Sequence, residues 1–233
     1  MAMITERQGE ILNRTVREYI ELAQPVSSQL LEKKYDFSIC PATIRIEMQK
    51  LTDKGFLLQP HTSAGRVPTD KGYRFFVDEL LKKELEGFEL EDWFTEEIDD
   101  TIKFIQLLTK NLALASQSLV LSYFEKEKIC WKEGWEEILK TPEFREENYI
   151  INFTGFLESF EKNIEDLKLN SGIKIYIGRE NPFKKTKDFS IISSKCCLPG
   201  DGQTIISLLG PKRMDYDRNI GLINSLTKLL EEA

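Results

Sequence analysis

Apolar side chains recur on a helical period over the first eighty residues. Thr5-Glu6-Arg7-Gln8 has the spacing of a capping box, a hydroxyl followed three residues on by an amide. Ile11, Leu12, Val16, Tyr19 and Ile20 then share one face of the helix this box opens, and Pro25 ends it. Ser27 or Ser28 can cap a second helix, with Leu30, Leu31 and Tyr35 turned inward. Pro41 stands at the favoured first position of a third helix, and Gly55 closes it. Ile44, Met48 and Leu51 fall at i, i+4 and i+7 and predict its buried face. A short apolar strand follows. Then come a polar loop through His61, Thr62, Ser63, Gly65 and Arg66 and a second strand at Val67-Pro68. Helix, helix, helix, strand, loop, strand is the plan of a winged helix-turn-helix, a module that lays its third helix in the major groove of DNA.

Beyond the loop, Thr69 or Asp70 can cap a fourth helix with Tyr73, Phe76, Val77, Leu80 and Leu81 as its apolar stripe. Residues 82–100 are acidic and read as a connector, after which helical periodicity resumes from about Ile98 to Leu114. The run from Ser118 to Phe124 predicts a buried strand. Residues 153–169 read as helix, Ile173–Ile177 as a strand ended by Gly178, Ser190–Ile192 as a weaker strand, and Gln203–Leu209 as a strand stopped by Gly210-Pro211. Ile220, Ile223, Leu226, Leu229 and Leu230 define a final amphipathic helix. The expected fold class is α+β: a winged helix-turn-helix over 1–80, a helical connector over 81–115, and an α/β domain over 116–233.

Charge sharpens this picture. The chain of 233 residues carries a net charge of −7, which argues against nucleic acid until its distribution is considered. Residues 1–80 hold 11 basic and 11 acidic side chains, so the excess of acid lies in the remainder. Within 41–74 there are six basic residues against three acidic ones. A local basic segment on an acidic protein can meet phosphates while the rest stays soluble.

The outward face of the third helix holds Ala42, Ile46, Gln49 and Asp53, flanked by Thr43, Arg45 and Lys50. Arg, Gln and Lys there suit base edges and phosphates, and Ile46 suits a thymine methyl. Arg66 and His61, with Thr62 and Ser63, would place the loop on the DNA backbone. Ser27, Ser28 and Gln29 at the start of the second helix can offer amides to a phosphate. The bland alternative for all of these is a solvated helix face, a cap and a braced hairpin.

Other chemistry finds little support. The single histidine, His61, lies in the loop, which leaves no Ser-His-Asp or Cys-His arrangement elsewhere. There is no P-loop, GxSxG or HExxH. The four cysteines, Cys40, Cys130, Cys196 and Cys197, lack metal-ligand or disulfide spacing. No enzyme activity, cofactor or metal is expected. No run approaches the roughly 18 apolar residues of a membrane span. The first residues lack an apolar signal region, so a cytoplasmic protein with reduced thiols is expected.

Several strings together resemble the HrcA family of heat-inducible transcription repressors: TERQ at 5–8, PATIR at 41–45, QPHTSAGRVPTDKGYR at 59–74, TPEF at 141–144, IGRENP at 177–182 and GPKRMDY at 210–216. The resemblance implies a winged helix followed by a GAF-like domain that pairs two protomers. It also implies binding to a CIRCE-type inverted-repeat operator of class I heat-shock (chaperone) operons, and modulation by the GroEL chaperonin. Three departures stand out. The GAF-like domain is shortened between Phe124 and Thr141, Ile46-Glu47 replace the usual Asn-Asp, and Cys40 replaces the usual serine before Pro41. IGRENP and GPKRMDY invite an anion-site reading, but glycines and prolines that set chain reversals, with charges that pair or cap helices, explain them more simply. Two other functions stay open: a ligand-responsive winged-helix regulator, and a winged-helix interaction module that does not touch DNA.

Overall fold

A computed structural model of the chain describes residues 4–83, 87–90, 93, 100–167, 169, 172–183, 186–198 and 202–232. Most of the acidic connector therefore lies outside the described residues. The chain divides into two compact units, Met1–Glu84 and Leu85–Ala233.

The first unit opens with α1 (Glu6–Leu22), whose capping box forms as the sequence predicts: Thr5 Oγ1 accepts from the Gln8 amide, and Gln8 Oε1 accepts from the Thr5 amide. α2 (Ser28–Lys34) is capped by Ser27, whose Oγ accepts from the Leu30 amide at 3.1 Å. α3 (Pro41–Asp53) starts at Cys40, which supplies no side-chain cap. Antiparallel β1 (Leu57–Leu58) and β2 (Val67–Pro68) form a hairpin, and α4 (Asp70–Leu80) returns across α1. Ile11, Leu12, Val16, Leu31, Ile44, Leu51, Phe76 and Val77 are all buried in one small core. Removing such side chains from water is what holds these helices together, since most helical stability in a protein comes from packing an apolar face.

The second unit is a five-stranded antiparallel sheet in the order β4-β3-β7-β6-β5. Its strands are β3 (Leu119–Phe124), β4 (Ile129–Glu133), β5 (Ile173–Ile177), β6 (Phe189–Leu198) and β7 (Gly202–Pro211). Side chains alternate between faces along each strand. Leu119, Leu121, Ile191, Ile205 and Leu209 pack with α6 (Trp135–Leu139) and α7 (Glu147–Lys162) in a phenylalanine-rich core around Phe153, Phe156, Phe160 and Phe189. The other face meets α5 (Thr101–Ser116) and α8 (Tyr216–Glu232): Ser122 Oγ bonds Thr109 Oγ1 at 2.7 Å, and Ser190 Oγ bonds the Tyr216 hydroxyl at 2.7 Å. Among the described residues, no helix is long and apolar enough to cross a membrane.

The motif strings of this unit act as joints. Arg213 grips Glu143 through two hydrogen bonds, Nε to Oε1 at 2.7 Å and Nη2 to Oε2 at 3.0 Å, so that GPKRMDY and TPEF hold one another. In IGRENP, Asn181 Nδ2 donates to the carbonyls of Gly178 and Phe189, while Glu180 Oε2 accepts from the Ile177 amide. Gly178 has φ 53°, a left-handed turn that glycine adopts readily. Asp215 accepts from the Arg218 amide at the start of α8. These charges pair and cap.

Candidate nucleic-acid interface

α3 turns as its periodicity predicts. Ile44, Met48 and Leu51 are buried, while Ala42, Arg45, Ile46, Gln49, Lys50 and Asp53 are exposed. Ile46 stands 56% exposed, an unusual position for an isoleucine on a solvated face. Thr43 is half-buried and shares a hydrogen bond with Cys40 Sγ at 3.3 Å. That hydroxyl, with the Thr43 backbone amide, lowers the pKa of the exposed Cys40 thiol.

The hairpin loop is tied down from two sides. Gln59 Nε2 donates to the carbonyls of Thr62 at 2.8 Å and Ala64 at 3.1 Å, which folds the loop tip over itself. Behind the tip, Val26 and Arg66 exchange backbone hydrogen bonds of 2.9 and 2.7 Å, adding a bridge from the segment before α2. Gly65 permits this approach, because a Cβ there would lie 2.3 Å from the Val26 carbonyl oxygen. His61, Thr62 and Ser63 stay exposed at the tip, and the His61 carbonyl accepts from the Ala64 amide.

A groove of about 520 Å³ runs between these elements. Ser27 before α2, Ser28 and Gln29 of α2, Arg45 of α3, and Thr62, Ser63 and Arg66 of the loop line it together. Thr43, Ile46, Gln49, Lys50 and His61 lie outside that lining. The Ser27 hydroxyl is engaged as the α2 cap.

Arg66 departs from expectation. It is only 7% exposed, and its guanidinium points inward, with Nη2 donating to Gln49 Oε1 at 2.8 Å and Nε to Thr52 Oγ1 at 3.0 Å. Burial, together with the nearby Arg45 charge, lowers its pKa. The backbone bridge to Val26 fixes the Arg66 main chain so that its side chain runs back along α3 rather than out along the loop. The guanidinium expected to reach for phosphate is thus engaged by Gln49 and Thr52, although Arg66 still lines the groove.

Glu47, which the sequence marks only as a departure from the usual family string, organises the rear of α3. It is buried, and it accepts from Gln8 Nε2 at 2.7 Å, Lys50 Nζ at 3.0 Å and Arg7 Nη2 at 3.1 Å. The Gln8 hydrogen bond, then those of the cations, holds its carboxyl below the ordinary range. Other cations of the basic segment also have partners inside the unit: Lys54 Nζ donates to Gln8 Oε1, Lys71 Nζ to the Lys54 carbonyl, and Arg74 pairs with Asp78. Arg45 is exposed and has no carboxylate partner among the described residues. No cluster of His, Cys, Asp or Glu among the described residues could hold a metal ion.

Residues 75–220 match a family model described as the HrcA protein C terminal domain. A protein of Thermodesulfovibrio yellowstonii named heat-inducible transcription repressor HrcA is 30% identical, over 98% of this chain and 97% of the relative. One of the same name from Natranaerobius thermophilus is 28% identical, over 97% of each. The latter alignment runs to 336 positions against 233 residues here, so the relative carries residues with no counterpart in this chain. A crystal structure described as that of a hypothetical protein superposes with a TM-score of 0.83 at 24% identity, covering 99% of this chain and 98% of the other, which extends the likeness of fold to the whole chain.

Proposed function

The chain belongs to the HrcA family of heat-inducible transcription repressors, and from that premise we propose that its first unit is a winged helix-turn-helix that holds promoter DNA. The outward face of α3, with Arg45, Ile46 and Gln49, enters the major groove, and the loop tip at His61, Thr62 and Ser63 lies against the backbone beside it. The start of α2, with Ser28 and Gln29, meets the phosphate on the other side of the groove. Arg66 braces this surface from within. The second unit, a shortened GAF-like domain, pairs two protomers so that both halves of a CIRCE-type inverted repeat are held at once. Occupying that operator blocks transcription of class I chaperone operons in the cytoplasm, and GroEL modulates the repressor.

One observation carries the DNA reading. Ala42, Ile46, Gln49 and Asp53, opposite the buried stripe of α3, are exposed, and near the start of that helix Ala42 and Arg45 line a groove with the α2 N-terminus and the hairpin loop. The test is an anisotropy titration of the full chain with a duplex bearing a CIRCE-type inverted repeat and with a scrambled duplex of the same composition, at several salt concentrations. Preference for the repeat is expected, with log affinity falling by about 0.9 per phosphate contact for each unit of log salt, and with two chains per duplex by mass in solution. Equal affinity for both duplexes, or no binding at low salt, removes the proposal.

A further inference from the structure

Resting on the reading that α3 faces the major groove, we propose that Arg66 and Asp53 are positioning residues for sequence readout: they clamp the side-chain amide of Gln49 in a single orientation, and base preference at that position is set through the clamp rather than by any contact of Arg66 with DNA.

The clamp has three members, all in the first unit. Arg66 Nη2 donates to Gln49 Oε1 at 2.8 Å, and Gln49 Nε2 donates to Asp53 Oδ1 at 2.8 Å, one helical turn along α3. Arg66 is itself held by Thr52 Oγ1 at 3.0 Å, and that hydroxyl donates to the Met48 carbonyl at 2.9 Å. A glutamine amide can ordinarily flip, because its oxygen and nitrogen ends have nearly the same shape. Here a flip is forbidden by chemistry. A guanidinium only donates and an ionised carboxylate only accepts, so a reversed amide would set N–H against N–H and oxygen against oxygen.

The clamp leaves the amide able to read a base. A primary amide has two N–H groups and two oxygen lone pairs, of which the clamp takes one of each. One N–H and one lone pair remain, the complement needed for a bidentate contact with adenine N6 and N7. Gln49 is exposed on the outward face of α3, whereas Arg66 is 7% exposed beneath it. Most of the ordering that Gln49 would otherwise undergo on binding is complete in the folded protein, which favours the matching base over its competitors. Asp53 holds Gln49 directly, its charge also acts on Arg66, and it stands at the far end of the helix from Arg45.

The experiment is selection of bound duplexes by the full chain from a library randomised over an operator-length window, followed by affinity and salt titrations on the winning duplex and its single-base variants. The proteins are wild type, Gln49→Met, Arg66→Met, Asp53→Ala and the Arg66→Met/Gln49→Met pair. Wild type is expected to enrich a motif containing an adenine whose replacement costs about tenfold in affinity. Gln49→Met and Arg66→Met should each erase that preference, Asp53→Ala should weaken it at the same base pair, and the double variant should lose no more than Gln49→Met alone. The salt slope should be the same in Arg66→Met as in wild type. Asp53 is exposed, so its variant reports even if the buried Arg66→Met chain does not fold. The clamp is overturned if Arg66→Met weakens every duplex alike and lowers the salt slope by about 0.9, the mark of a lost phosphate contact. Retention of the adenine preference in Arg66→Met or Asp53→Ala overturns it too. A wild-type chain that enriches no motif removes the DNA reading itself, a result distinct from either of these.

Discussion

Gly65→Ala tests the joint on which the loop depends. The added methyl carbon would lie 2.3 Å from the Val26 carbonyl oxygen, 2.4 Å from its carbon and 2.8 Å from the carbon of Pro25. An ordinary carbon–oxygen contact is about 3.4 Å, so the strand must retreat by about 1 Å, and all three obstacles are backbone. Retreat of that size breaks the paired Val26–Arg66 hydrogen bonds of 2.7 and 2.9 Å, each worth about 1 kcal/mol net. The expected loss is about 2 kcal/mol, within the range for overpacking. For a chain of this length that lowers the melting temperature by about 4–8 °C. Gly55→Ala is the control, because Gly55 has φ +77° but nothing within 4 Å of the added carbon; its cost is conformational only, about 1 kcal/mol. Hydrogen exchange at the amides of Val26 and Arg66 separates the two: protection should fall in Gly65→Ala and persist in Gly55→Ala. Unchanged protection and melting in Gly65→Ala would show that the loop does not approach Val26 as described.

Phe153→Ala should cost about 3–5 kcal/mol by urea denaturation, because Phe153 is fully buried against the rings of Trp135, Phe144, Phe156 and Phe189; a loss under 1 kcal/mol would contradict that core. Glu47 gives a pH dependence of known sign. Its folded pKa lies below the unfolded value of about 4.5, so its contribution is complete above that value and is lost as pH falls through the lower folded one; urea melts in acid should show a shallower decline for Glu47→Gln than for wild type. Arg45→Ala should weaken operator binding by about 1–3 kcal/mol and relax base choice, whereas full retention of sequence preference would mean that α3 presents a different face to DNA.

The fold was legible where burial is apolar and periodic. Ile44, Met48 and Leu51 predicted the inward face of α3, and the run to Phe124 predicted β3. It was obscure where buried residues are polar. β6 read as a weak strand because Ser190, Ser193 and Ser194 interrupt its pattern, yet all three are buried, and Ser190 and Ser193 bond Tyr216 and Ser207. β4 left no sequence signal because it is an edge strand whose residues are exposed or half-buried, and edge strands lose the alternation that burial imposes. β7 continues through Gly210 and Pro211, which pair with Ser190 and Phe189 where a stop was expected. The first turn of α7 went unseen because residues 147–151 are exposed or half-buried, so the apolar signal begins only at Phe153.

The site was legible in a different measure, because counting charges says nothing of where they point. Six cations between 41 and 74 suggested a basic patch. Arg66 is spent on Gln49 and Thr52, Lys54 on Gln8, and Lys71 on a backbone carbonyl. Lys50 is held by the buried carboxylate of Glu47, whereas the Arg74–Asp78 pair lies at the surface, where such a pair is worth only about 0–1 kcal/mol. Arg45 alone in this segment faces out without a carboxylate partner among the described residues. Each of these arrangements depends on a partner distant in sequence: Gln8 for Lys54, Val26 for the Arg66 backbone, Gln8 and Arg7 for Glu47. On the proposed reading, a surface so sparing of free charge would bind DNA less by general attraction than by fit, which would place the demand for specificity on Arg45, Ile46 and Gln49 and give a buried arginine that steadies a glutamine its use.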